Sequence, residues 1–130
     1  ESKVAKAESS GKSALAAYNA GDFVTALAEW KPLAEQGDAI AQSNLGLMYL
    51  YGRGVNEDHK EAIEWFRLAA EQGDARSQYN LAVTLGNGEG TIDDDKESVK
   101  WYRLAAEQGH QSAKRRLTFL YDKGFLSEDD

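Results

Sequence analysis

The sequence predicts an all-α fold, a solenoid of about three helix hairpins closed by a C-terminal capping helix. Three observations predict it. The segment Ala34-Glu35-Gln36-Gly37-Asp38 returns as Ala70-Glu71-Gln72-Gly73-Asp74 and again as Ala106-Glu107-Gln108-Gly109-His110, each time offset by 36 residues. A fixed period of this size marks stacked units that bury a continuous core only against their neighbours. Sliding the chain by 36 also superposes Leu45, Leu81 and Leu117, and the aromatics Trp30, Phe66 and Tyr102. Finally, a single Pro and a high Ala content favour helix, while 42% hydrophobic residues and three Trp argue against disorder.

The units run over about 5–37, 38–73 and 74–109, followed by a helix over 110–124 and an acidic tail over 125–130. The first hairpin is atypical. Gly21-Asp22-Phe23 gives it a shorter turn than Tyr51–Asp58 gives the second, and Pro32 should bend the end of its second helix. In each hairpin the second helix starts at an N-cap Asp: Asp22, Asp58 and Asp94. Glu61 and Glu97, three positions on, complete a capping box. Apolar residues then recur at helical spacing, as in Ala62, Ile63, Phe66, Ala69 and Ala70. Gly37, Gly73 and Gly109 fall where a left-handed residue would stop that helix, and Asp38 and Asp74 cap the next one. The last unit has a first helix only, roughly Gln111–Lys123. The count is seven helices and no strand.

Composition narrows the partners. A net charge of −7 makes nucleic acid and anionic membranes poor ones, since both need a basic footprint. No apolar run approaches the roughly 20 residues needed to span a bilayer. The chain opens at Glu1 without Met or a signal-like segment, which fits either a removed leader or a trimmed start. The absence of Cys excludes disulfides and thiolate metal sites and leaves the redox compartment open.

Several residues together resemble a known family. Ala41-Gln42-Ser43-Asn44-Leu45-Gly46-Leu47-Met48-Tyr49, Gly52-Arg53-Gly54-Val55, Asp58, Ala62, Trp65-Phe66 and Ala69-Ala70-Glu71-Gln72-Gly73 are similar to the pattern of the Sel-one-like repeat (SLR) family, a branch of the tetratricopeptide superfamily. The likeness covers about residues 22–124. The third unit departs from it at Leu85, Gly86 and Thr91, which predicts a looser turn. The resemblance implies a right-handed superhelix, a non-catalytic adaptor holding a peptide or partner protein on its concave face, and an exported, periplasmic or secreted setting. A monomer without cofactor or metal is expected.

Candidate binding residues follow from the stacked register. Asn44, Asn80 and Arg116 share one position, just before Leu45, Leu81 and Leu117. An Asn amide offers donors and an acceptor to the backbone of an extended peptide, the job that the resemblance implies for this position. The same Asn residues are equally suited to stapling one repeat to the one before. Arg116, with Arg115 beside it, is suited to gripping a carboxylate. Ser43 and Tyr79 precede the Asn residues, and Leu47, Val83 and Phe119 lie beyond them. Tyr51 is the aromatic expected to be exposed, whereas Trp30, Trp65 and Trp101 are expected in the core.

Catalytic readings are weak. Gly11-Lys12-Ser13 lacks the upstream Gly of a phosphate-binding loop, because Lys6 stands there. Ser9-x-x-Lys12 fits one element of penicillin-interacting enzymes, a thought prompted also by family members that resemble binders of such compounds, but the companion elements are missing. A helix N-terminus is the ordinary explanation for this stretch. Asp93-Asp94-Asp95 with Glu89 and Glu97 fails the calcium-loop pattern. His59 and His110 are expected at the surface, without a general base's partners. A cell-wall or β-lactam hydrolase and a fragment of a larger envelope assembly stand as alternatives to the adaptor.

Overall fold

The computed structural model describes residues 3–86 and 92–127, which form seven α-helices and no strand. They are α1 (Lys3–Asn19), α2 (Phe23–Glu35), α3 (Ala39–Tyr51), α4 (His59–Glu71), α5 (Ala75–Gly86), α6 (Ile92–Glu107) and α7 (Gln111–Asp122). The chain divides into two compact units between Ala69 and Ala70.

In the first unit α1 packs on α2 and α2 on α3. Trp30, 2% exposed, stands in a core of Ala14, Ala26, Leu33, Ala34, Ala41, Leu45 and Met48. Tyr18, Phe23, Val55 and Trp65 pack against that core from its edge. The α3–α4 crossing is set by one pair: Gly46 lies against the fully buried Phe66 ring, close enough that a Cβ would stand 2.4 Å from it. Pro32 lies inside α2, and the helix continues through it to Glu35.

In the second unit α6 packs on both α5 and α7. Leu81, Ala82 and Ala105 are fully buried, and Trp101 and Tyr102 are nearly so. The Ser98 hydroxyl donates to the Ala82 carbonyl at 2.6 Å and ties α6 to α5. The Trp101 indole donates to Glu97 one turn earlier, at 3.3 Å.

Four aspartates cap helix starts. Asp22, Asp38, Asp58 and Asp74 accept from the backbone N–H groups of Thr25, Ala41, Glu61 and Ser77 at 2.9–3.2 Å. Only half of the capping box at Asp58 forms, because the Asp58 N–H donates to the Tyr49 carbonyl at 2.8 Å. Asp94 is not a cap. Helix α6 begins two residues earlier at Ile92, which puts the acidic run 93–95 in its first turn, where the helix dipole favours negative charge. Gly37, Gly73 and Gly109 adopt φ of 94–102°, the left-handed stop the repeat requires. Gly86 is the last residue of α5 and has no positive φ. Gly88 and Gly90 lie outside the described residues.

Candidate functional site

In the first unit the candidate site is the outward side of α3. Leu45 is buried, which leaves Asn44 and Leu47 half-buried beside it. Ser43 departs from expectation. It is fully buried, its hydroxyl without a hydrogen-bond partner among the described residues, so it packs in the interior and offers nothing at the surface. Tyr51, 58% exposed, closes the helix. The Arg53 guanidinium lies 5.1 Å from its ring centroid, 5.6 Å from that of Tyr18 and 5.9 Å from that of Phe23, and donates to the Tyr18 hydroxyl. The Arg53 cluster was invisible to sequence reasoning, because Tyr18 and Arg53 stand 35 residues apart and share no repeat register.

In the second unit Asn80 and Val83 are half-buried on α5. Tyr79 is committed to packing: its ring stacks on His110 at 4.6 Å and meets Tyr102 edge-on at 5.9 Å. On α7, Arg115 and Arg116 are both exposed. Arg115 donates to the Ser112 hydroxyl at 3.2 Å, and the Arg116 guanidinium sits 5.2 Å from the Phe119 ring centroid. Burial pushes the Tyr102 phenol up from its ordinary value, and the Arg116 charge works against that shift. Burial is also the main cause of a raised Tyr49, helped by the carboxylates of Glu61 and Asp58.

Two glutamines staple consecutive helices together. Gln42 donates its side-chain amide to the Ala34 carbonyl at 3.1 Å, and Gln78 donates to the Ala70 carbonyl at 3.2 Å. Both are buried bonds eight residues long, and donor and acceptor each recur at the 36-residue period. The sequence did carry this signal, since Gln42 and Gln78 coincide in register. Lys114 takes that position in α7 and is exposed.

His110 also has a structural duty. Its Nδ1 accepts from the Ala113 N–H at 3.2 Å, so it caps α7 where Asp38 and Asp74 cap α3 and α5. His59 is exposed and pairs with Glu57 at 3.0 Å. Lys12 and Ser13 stand in the middle of α1, well past its N-terminus, and Ser13 donates to Glu29 at 3.1 Å. Glu89 and the side chains of Ser9, Asp93, Asp94 and Asp95 lie outside what the structure describes. Among the described residues no group of three or more His, Asp or Glu is placed to hold a metal ion. No described helix is long and apolar enough to cross a membrane.

Residues 39–74 and 75–110 each match the Sel1 repeat. The chain belongs to the Sel1-repeat family. A Sel1 repeat protein from Oxalobacter formigenes superposes with a TM-score of 0.80 at 33% identity, over 88% of this chain and 47% of its own. Another, c5321, described as a protective antigen of uropathogenic Escherichia coli strains with an SLR fold, superposes with a TM-score of 0.83 at 36% identity. That match covers 91% of this chain and 26% of the other. The chain thus spans less than half the length of either relative. Among curated proteins none matches it. The Sel1-repeat fold is an all-α solenoid that generally serves as a protein-interaction scaffold, and the family is typically non-catalytic.

Proposed function

We propose that this chain is a non-catalytic scaffold that holds an extended peptide or partner protein against the outward sides of α3, α5 and α7, called here its A helices. Each unit contributes its own stretch: Asn44, Leu47 and Tyr51 on α3, and Asn80, Val83, Arg115 and Arg116 on α5 and α7. One observation carries the reading. Leu45 and Leu81 are buried, while the polar residue before each and the apolar residue two positions after stay partly open. Helices α3, α5 and α7 therefore each offer an amide or guanidinium beside an apolar side chain, a combination suited to peptide backbone and alternate side chains.

The supporting experiment compares wild type with Asn44→Ala/Asn80→Ala/Arg116→Ala in pull-downs from extracts of the source cell. Melting curves verify that both proteins are folded. A protein captured by the wild type and lost by the folded triple variant is the expected result. Equal capture by both would place the binding surface elsewhere.

A further inference from the structure

The register of Arg53 holds Ala17 in the unit before and Glu89 in the unit after, so the repeat itself does not call for arginine there. Its backbone is nevertheless fixed. Gly52 and Gly54 on either side adopt φ of 67° and 76°, and the Arg53 N–H donates to the Met48 carbonyl at 2.9 Å. A Cβ on Gly54 would stand 3.0 Å from Phe23, so the turn is pressed onto the start of α2. Val55, next along, packs against the core.

The side chain is held as well. Its guanidinium stands among rings from α1, α2 and α3, namely Tyr18, Phe23 and Tyr51. The Tyr18 ring in turn leans on Phe23 at 5.2 Å and on the buried Trp30 at 5.6 Å, which anchors it to the core. Arg53 remains exposed. Its hydrogen bond to the Tyr18 hydroxyl uses one of the five N–H donors of a guanidinium. Among the described residues the other donors have no partner, and no carboxylate pairs with this charge. The acids of the same turns are engaged elsewhere: Asp22 and Asp58 cap α2 and α4, and Glu57 pairs with His59. The Tyr18 oxygen accepts from Arg53, which leaves its own O–H to donate.

We propose that Arg53 is a carboxylate-binding site at the end of the α3 stretch. An Asp or Glu side chain, or the C-terminal carboxylate, of the held peptide lies against the Arg53 guanidinium and the Tyr18 hydroxyl, beside the exposed Tyr51 ring. A guanidinium presents paired N–H groups that match the two oxygens of a carboxylate. Because rings on three helices already hold it, little side-chain freedom is lost on binding. The proposal rests on the peptide-holding function above and gives it a selectivity. The carboxylate is local, and the rest of the peptide can still be basic, as the net charge of −7 favours.

The test is an array of short peptides of random sequence, half amidated and half with a free C-terminus, probed with the fluorescently labelled whole chain. Bound peptides should be enriched in Asp and Glu or in free C-termini, and the two halves of the array tell these sources apart. Changing the acid of a bound peptide to its amide should weaken binding to the unmodified protein about tenfold or more, a result that does not depend on any variant folding. Arg53→Gln, verified as folded by melting, should bind acid and amide peptides alike, and Arg53→Lys should recover part of the difference. Asn44→Ala/Asn80→Ala should weaken both kinds of peptide equally. Bound peptides without a preference for carboxylates, or a preference that persists in Arg53→Gln, would overturn the carboxylate site and leave the peptide-holding function standing. No peptide bound above background would overturn both.

Discussion

Gly46 has no room for a methyl group. Alanine would improve helix propensity by up to about 1 kcal/mol, but a Cβ 2.4 Å from the Phe66 ring has to displace that ring inside a close-packed core. Overpacking of this kind costs about 1–3 kcal/mol, so the clash outweighs the propensity. Gly46→Ala should lower the melting temperature, and Gly46→Ala/Phe66→Leu should cost less than its two single changes added together. Strict additivity in that cycle would show that the ring is not what the methyl group meets. Gln42 calls for a smaller number. The Ala34 carbonyl also accepts from the Gly37 N–H at 3.0 Å, so Gln42→Ala leaves it partnered and should cost about 1 kcal/mol by thermal melting. His110→Ala should cost a similar amount through its lost cap, and His110→Asp should restore most of it. Only a melt of the Asp variant as low as that of the Ala variant would assign the loss to the Tyr79 stack instead.

Helix α2 carries the clearest pH response. Hydrogen bonds from the Thr25 side chain and backbone hold the Asp22 carboxyl below the usual carboxylate range. With the folded-state value below the unfolded one, the cap's stabilisation is whole above the ordinary carboxylate range. It fades as pH falls through the folded-state value. Wild type and Asp22→Asn should therefore differ in melting temperature at neutral pH and converge in acid; a gap that persists would separate the helix end from this carboxylate. The caps were legible in advance because an Asp followed by a helical stripe is a local signal, and Asp22, Asp38, Asp58 and Asp74 all cap. The start of α6 was not. Three consecutive Asp residues satisfy the dipole over several registers, so periodicity alone could not choose Asp94 or reject it. The cap at His110 was missed for a related reason: an imidazole acceptor looks like a surface side chain until the ring that holds it, Tyr79, is in place.

For the chain as a whole, the family and the all-α class were readable from the 36-residue period, which survives in residues 39–74 and 75–110. Which register positions stay open was not readable. Ser43 and Arg115 share a register, yet one is fully buried and the other exposed, because α4 lies against α3 whereas among the described residues no helix follows α7. The net charge of −7 bears on whatever the A helices hold. A partner captured there through basic patches should bind more weakly as salt rises from about 0.05 M to about 0.5 M, measured as a falling association rate.

The Gln42 and Gln78 bonds also act as a ruler. Each joins a carbonyl near the end of one helix to a side chain eight residues on, across a turn confined to residues 36–38 or 72–74. Residues 108–110 repeat that length between α6 and α7. By contrast, the connection inside a hairpin spans only 20–22 in the first and 52–58 in the second. An inserted residue in the first class of turn would pull donor from acceptor. Variation in loop length, and with it any grafted epitope or cleavage site, is therefore confined to the second class of turn.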